Sequence, residues 1–104
     1  MIVVDGIKYF GIFDDEKANC HTDDYPPIDP AIKGHIVKHI EGLSPALTSD
    51  IVIDVYTGEE IPEDVVDAGM YTDMGYSYPT EVLYYIKQYD MGIPQEYIKA
   101  IMGN

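Results

Sequence analysis

The central half of this chain carries many negative side chains and no positive ones between them. From Lys38 to Lys87 there are ten carboxylates and neither lysine nor arginine, and arginine is absent from the whole sequence. Self-repulsion among these charges opposes compaction, and the resulting surface repels phosphate backbones and attracts basic clefts. The ten residues are Glu41, Asp50, Asp54, Glu59, Glu60, Glu63, Asp64, Asp67, Asp73 and Glu81.

Length and composition predict one acidic α+β domain over residues 1–104. The chain has 19 acidic residues against 6 lysines and a formal charge of −13, and a second core would leave each half too small to be stable. Because 46% of residues are hydrophobic and interleave with the charged ones, the sequence is not that of a disordered acidic tail. We expect added salt and a mildly lower pH to increase stability.

The lack of a signal-peptide pattern and the single cysteine predict a soluble, cytoplasmic protein. Cys20 is the only cysteine, so the chain cannot form an intrachain disulfide. The N-terminus lacks the basic and apolar regions of a signal peptide, and no apolar run approaches the ~20 residues that a membrane span needs. We therefore expect no membrane association.

The first elements are predicted by turn and cap residues. Asp5-Gly6 between Ile2–Val4 and Ile7–Ile12 predicts a β-hairpin with a type I′ turn. Residues 13–28 are turn-rich and predict a loop. Asp29-Pro30 supplies a helix cap and a first helical residue, and the apolar residues that follow at helical spacing predict a helix over 30–43. They are Ile32, Ile36, Val37, Ile40 and Leu43.

The remaining elements follow prolines, glycines and a β-branched run. Residues 51–56 predict a strand, and Thr57-Gly58 predicts a turn at its end. A short partner strand over 59–61 would complete a hairpin. Pro62 opens a short acidic helix, 69–78 is a glycine- and tyrosine-rich loop, and helices start at Pro79 and Pro94. The predicted class is α+β: an N-terminal hairpin plus one or two further antiparallel strands, packed with three to four short helices. The predicted inward residues of the last two helices are Val82, Leu83, Ile86 and Tyr89, then Tyr97, Ile98, Ile101 and Met102.

The short helix after Ile61 concentrates negative charge on one face. Helical spacing places Glu60, Glu63, Asp64 and Asp67 together and Ile61, Val65 and Ala68 opposite them. Seven helical residues rise about 10 Å, so this row approaches the charge density of a nucleic-acid strand. The alternative is an ordinary solvated helix face whose acids favour its N-terminal dipole.

Tyrosine is concentrated near the C-terminus and supplies a second candidate surface. Seven of the ten tyrosines lie in the last third of the chain, and tyrosine is enriched at protein interfaces. Tyr84 is expected to be exposed, whereas Tyr85, Tyr89 and Tyr97 are expected to help build a core that lacks tryptophan. The candidate partner-binding residues are Asp54, Glu59, Glu60, Glu63, Asp64, Asp67, Asp73, Tyr76, Tyr78 and Tyr84.

Cysteine and histidine residues offer a third, weaker interpretation. Cys20, His21, His35 and His39 lie within 20 residues and are candidate zinc ligands. Adjacent Cys20 and His21 would bind one ion only with strain, so we predict no metal and no other cofactor, with His35 and His39 as boundary histidines near a helix end.

Motifs for catalysis are missing, and the charge of the chain disfavours nucleic-acid binding. No hydrolase elbow, phosphate-binding loop or dinucleotide fingerprint occurs, so we predict that the protein is not an enzyme. A surface of this charge gains no counterion-release energy from phosphates, so direct nucleic-acid binding is not expected either.

In size and charge the chain resembles phage-encoded anti-CRISPR and anti-restriction proteins and nuclease-immunity proteins. The resemblance implies phage-defence chemistry: an acidic inhibitor that occupies the basic, nucleic-acid-binding surface of an enzyme by charge mimicry. One alternative is a generic protein-interaction or assembly module that uses the tyrosine-rich C-terminal surface. The other is a metal-binding regulator built on Cys20 and the histidines. The sequence leaves homo-oligomer formation open.

Overall fold

A mixed five-stranded sheet and three helices make up the described part of the chain. The computed structural model describes residues 2–11 and 25–103, so most of the loop predicted over 13–28 lies outside the described residues. The observed class is α+β, as predicted. In chain order the elements are β1 (Ile2–Val4), β2 (Ile7–Tyr9), α1 (Pro30–Glu41), β3 (Ala46–Leu47), β4 (Gly69–Asp73), β5 (Tyr76–Pro79), α2 (Glu81–Tyr89) and α3 (Gln95–Met102).

The first hairpin forms where the sequence predicts it. Strands β1 and β2 pair antiparallel, with Ile2 opposite Tyr9. Between the strands, Asp5 and Gly6 have φ angles of +52° and +80°. These positive angles are the ones that a two-residue type I′ turn requires, and they match the right-handed twist of the flanking strands.

The strand order joins the first hairpin to the second half of the chain. The order is β1-β2-β5-β4-β3, and β2 pairs with β5 in parallel, with Lys8 opposite Tyr76. The prediction of antiparallel strands alone is therefore wrong at this pair. A parallel neighbour needs a long crossover connection, and the chain between β2 and β5 provides it, with α1 included.

Residues 69–78 form the central hairpin, not the loop that the sequence predicted. Strands β4 and β5 pair antiparallel, with Tyr71 opposite Tyr78, and Met74 and Gly75 form the turn with φ angles of +52° and +82°. The usual Asn-Gly or Asp-Gly signal is replaced by Met-Gly, which hid the turn. The tyrosines that suggested a loop face the core, because tyrosine fits the pleated, half-buried surface of a strand.

Residues 51–56 do not form a strand, although the predicted turn after them is present. The pairing is limited to one bridge between Ile53 and Glu60, with the Ile61 N–H donating to the Val52 carbonyl at 2.8 Å. The short partner segment over 59–61 thus exists, but neither side extends into the five-stranded sheet. Tertiary hydrogen bonds from side chains, described below, hold this segment instead.

Helix ends follow the predicted caps closely. The Asp29 side chain accepts a hydrogen bond from the Ala31 N–H at 2.9 Å, and α1 begins at Pro30. Helix α2 begins two residues later than predicted, because Pro79 is the last residue of β5. Pro94 caps α3, and Met102, which was predicted to face inward, is exposed.

Aromatic residues connect the sheet to the helices. Phe10 and Tyr78 stack with ring centroids 4.7 Å apart, and Tyr97 of α3 meets Tyr78 edge-on at 5.5 Å. Isoleucines 36 and 40 of α1 are fully buried against the same cluster. A smaller cluster beneath the loop that precedes β4 contains Val52, Ile61, Val66 and Ala68.

Gly92 is the residue at which the loop between α2 and α3 approaches another backbone most closely. A Cβ atom placed there would overlap the carbonyl oxygens of Tyr25 and Pro26. We expect Gly92→Ala to lower the free energy of unfolding by about 1–3 kcal/mol, because backbone rather than a flexible side chain must move. Urea denaturation measures this loss as a lower transition midpoint with an unchanged slope.

Gly34→Ala is the matched control for that substitution. Gly34 is exposed in α1, and a Cβ atom placed there would have no neighbour within 4 Å. Alanine at that position should raise stability by about 0.5–1 kcal/mol, since glycine is costly inside a helix. Equal effects at the two positions would show that the close approach at Gly92 is unimportant.

Candidate partner-binding surface

Five exposed carboxylates lie close together on the chain between the turn at Thr57-Gly58 and β4. We call residues 59–67 the acidic segment. Each of its acidic side chains is exposed, while Ile61 and Val66 are buried and attach the segment to the protein. The five carboxylates are Glu59, Glu60, Glu63, Asp64 and Asp67.

The acidic segment is not the helix that the sequence predicted. It contains a single turn, in which the N–H groups of Val65 and Val66 both donate to the Pro62 carbonyl, at 2.9 and 3.0 Å. Val65, predicted to face inward, is 58% exposed, and Val66 is buried in its place. A helix here would also set Glu60 beside Asp64, and like charges four residues apart destabilise a helix.

The salt bridges between described residues leave this segment unpaired. They join Lys8 to Glu96 at 3.0 Å, Lys33 to Asp90 at 2.6 Å and Lys87 to Glu41 at 3.1 Å, and a protonated His39 would add a fourth, to Asp73 at 2.9 Å. None of these contacts involves residues 50–67. The negative field of the acidic segment is therefore not neutralised by any described lysine.

Asp54, one of the candidate partner-binding residues, is buried and serves the fold. It is only 3% exposed. Its Oδ1 accepts hydrogen bonds from the N–H groups of Tyr56 and Thr57, at 2.8 and 3.2 Å. Its Oδ2 accepts from the hydroxyls of Tyr84 and Tyr89, at 2.8 and 2.6 Å. A partner could not reach this carboxylate without breaking these bonds.

The hydrogen bonds keep Asp54 ionised in spite of its burial. Loss of water alone would raise the pKa of this carboxyl. The Tyr89 hydroxyl, the Tyr56 N–H and the Tyr84 hydroxyl outweigh that effect, and the pKa lies below its ordinary value. Asp54 is thus a buried anion stabilised by neutral donors.

Tyr85 attaches the same segment to α2 at a second point. Its hydroxyl accepts from the Val55 N–H at 3.0 Å and donates to the Ile53 carbonyl at 3.3 Å. The Tyr56 ring packs on Tyr89 with centroids 4.5 Å apart. Residues 53–56 are therefore positioned by tyrosines of one helix together with the bridge from Ile53 to Glu60, and they do not join the five-stranded sheet.

The three tyrosines among the partner-binding candidates also make contacts within the fold. Tyr76 and Tyr78 are buried, where the Tyr76 hydroxyl donates to Glu96 at 3.0 Å. Tyr84, expected to be exposed, is part-buried, and Asp54 accepts its hydroxyl hydrogen bond. These positions weaken the interpretation of the C-terminal region as a tyrosine-rich docking surface.

Asp73, the last acidic candidate, lies in a hydrogen-bonded row of core residues. Its Oδ2 lies 2.9 Å from His39 Nε2 and accepts from the Tyr97 hydroxyl at 2.9 Å. The Tyr97 hydroxyl in turn lies 2.7 Å from that of Tyr78. This row connects α1, β4, β5 and α3, so Asp73 contributes to the packing of the fold.

The proposed metal ligands are only partly described. Cys20 and His21 lie outside the described residues, His35 is exposed, and His39 contacts Asp73. Within residues 2–11 and 25–103, no three cysteine, histidine or acidic side chains are grouped so that they could hold a metal ion.

Sequence reasoning missed a groove beside the acidic segment. The groove has a volume of about 650 Å³ and lies between residues 48–55 and the start of β4. Its apolar wall is formed by Ile51, Ile53 and Val55, all of them exposed. The signal was present in the alternation of residues 51–55, which puts Val52 and Asp54 on one side and these three on the other.

Comparisons of the chain with protein-family models, curated proteins and solved structures found no match. Among the described helices, none has the length and apolar character needed to cross a bilayer.

Proposed function

We propose that this protein is an acidic, non-enzymatic inhibitor that covers the basic, nucleic-acid-binding surface of a partner protein. The observation that carries the proposal is the acidic segment, whose five carboxylates are exposed and make no salt bridge with a described lysine. Unpaired charges of one sign add their fields, and they steer a basic cleft toward the surface that bears them.

The observed shape of the acidic segment changes which residues take part in the proposed mimicry. Glu63 and Asp64 lie on a turn between two buried contact points, Ile61 and Val66, whereas Glu59 and Glu60 precede this turn and Asp67 follows it. Asp54 and Asp73 are removed from the partner-binding set because they are used inside the fold. The proposal therefore depends on an irregular acidic loop and not on a straight helical row.

Neutralising four of these charges should weaken partner binding. We expect the variant Glu60→Gln, Glu63→Gln, Asp64→Asn and Asp67→Asn to remain folded and to bind at least about tenfold more weakly, about 1.4 kcal/mol. The loss should lie mainly in the association rate, and wild-type binding should weaken as salt rises. The measurement is displacement of a labelled DNA duplex from a panel of purified nucleases and other DNA-binding enzymes.

The control removes the same number of charges from other parts of the surface. Asp5→Asn, Glu41→Gln, Asp90→Asn and Glu96→Gln change exposed residues, so each of the two variants removes four of the negative charges that give the protein its formal charge of −13. Only the acidic-segment variant should lose activity against a susceptible enzyme. Equal losses would indicate a general charge effect, and full activity of both variants would contradict the proposal. The protein alone should not bind the duplex.

A further inference from the structure

A row of aliphatic side chains is exposed along residues 51–55, which precede the acidic segment. Ile51, Ile53 and Val55 are 68%, 46% and 50% exposed, whereas the residues between them, Val52 and Asp54, are buried. In an extended chain, alternate residues share one side. The buried side is held to the protein, and the outer side presents three β-branched residues to solvent.

The row forms one wall of the 650 Å³ groove, and the groove carries negative charge. Its opposite side is formed by the start of β4 and by Pro79, while Asp50 and Glu81 also line it. No lysine is among the lining residues. Ile53 is bridged to Glu60, so this wall of the groove adjoins the acidic segment. A groove with an aliphatic wall, whose charged lining residues are all carboxylates, is complementary to apolar side chains with cationic neighbours.

The groove wall is rigidly attached, which favours its use as a binding surface. The hydroxyl of Tyr85 bonds to the backbone at Ile53 and Val55, and Asp54 is tied to Tyr84 and Tyr89. A preformed wall costs less conformational entropy on binding than a loop that must order. The segment is therefore prepared for a partner before one arrives.

We propose that this groove receives an apolar side chain from a lysine- or arginine-rich segment of a partner protein. That the partner is positively charged follows from the proposed function, on which this inference rests. The apolar contact is the new part, and it provides specificity. Charge alone would accept any basic surface. An aliphatic or aromatic anchor beside cations would select those partners that carry both, since buried anchors dominate the affinity of protein interfaces.

The first test uses a short labelled peptide in which lysines alternate with two leucines and one phenylalanine. One matched peptide has serine in place of the apolar residues, and another has glutamine in place of lysine. Fluorescence anisotropy should show the lysine–apolar peptide binding at least about tenfold more tightly than either control. Amide shifts in NMR spectra of the wild-type protein should be largest over residues 48–55.

The second test compares two variants that remove exposed aliphatic residues. Ile51→Ser with Ile53→Ser changes the groove, while Val3→Ser with Val4→Ser changes β1, whose two valines are also exposed. The groove variant should bind the lysine–apolar and lysine–serine peptides equally. The β1 variant should behave like the wild type.

The outcomes separate the groove from the charge mechanism. If apolar residues add no affinity but both lysine peptides still bind in a salt-dependent way, the groove inference fails and the proposed function stands. If the apolar peptides bind the groove equally with lysine or glutamine, recognition of a basic partner is wrong. If the wild type sediments as a dimer and the groove variant as a monomer, the occupant is a second copy and the inference is overturned.

Discussion

We expect this protein to unfold cooperatively in alkali, between about pH 11 and pH 12, because its buried tyrosines ionise in this range only when the protein unfolds. Tyr78, Tyr85 and Tyr97 are fully buried. Burial raises the pKa of all three hydroxyls above the ordinary value for tyrosine, in the case of Tyr85 to about 12. The core thus depends on phenols that remain neutral.

The direction of the effect follows from proton linkage. In the unfolded chain a tyrosine ionises near pH 10, while in the folded protein these three retain their protons to higher pH. Unfolding then releases protons, so stability is fully present below about pH 10 and is lost as the pH rises through the folded-state pKa values. Above about pH 10, each such tyrosine lowers the free energy of unfolding by about 1.4 kcal/mol for every pH unit. Three of them together lower it by about 4 kcal/mol for every pH unit. A small domain has only about 5–15 kcal/mol to lose.

Circular dichroism and the absorbance of tyrosinate should report one coincident transition. Tyr97→Phe should reduce the number of protons released on unfolding by about one, and so make the transition less steep. Loss of the hydrogen bond from Tyr97 to Asp73 should also lower stability at neutral pH. A gradual tyrosinate signal near pH 10 with an intact fold would show that the core hydroxyls titrate freely.

Replacing Asp54 should destabilise the protein more than replacing any exposed carboxylate. We expect Asp54→Ala to lower the free energy of unfolding by about 3–4 kcal/mol, because four donors lose a charged acceptor. Two of these donors are the hydroxyls of Tyr84 and Tyr89. Asp54→Asn keeps the shape of the side chain and one acceptor oxygen, so its effect should be smaller. Chemical denaturation measures both variants.

The contribution of Asp54 should also depend on pH in a defined direction. Its pKa is lowered in the folded state, so the stabilisation is present above the unfolded-state pKa near 4 and is lost as the pH falls through the folded-state value. The difference between wild type and Asp54→Ala should therefore shrink in acid. Asp50→Ala, at an exposed site in the same loop, should change stability by less than about 0.5 kcal/mol. Equal effects of the two alanine variants would contradict a structural role for Asp54.

Local chemistry predicted several elements correctly. Asp5-Gly6 formed the expected turn, and Asp29 formed the expected cap of α1. The inward positions of the helices were also predictable, for example Ile36 and Ile40, because helical spacing and burial coincide in those segments. These features depend on residues that are neighbours along the chain.

Long-range pairing was not predictable from the same information. The parallel contact between β2 and β5 joins Lys8 to Tyr76 in register, and no local pattern encodes such a partner. The β4–β5 hairpin was hidden by a Met-Gly turn. The acidic segment became a turn because Ile61 and Val66 are both drawn into the small cluster with Val52, a spacing that a helix does not bring to one side.

The sequence by itself determined the sign and size of the charge, the α+β class and the helix caps, because composition and local sterics suffice for these. The tertiary structure alone decided which carboxylates are exposed and which are buried. Asp54 and Glu60 look equivalent in the sequence, yet one accepts four hydrogen bonds in the interior and the other is exposed. The difference comes from tyrosines about 30 residues further along, whose hydroxyls reach Asp54 only when α2 packs against its loop.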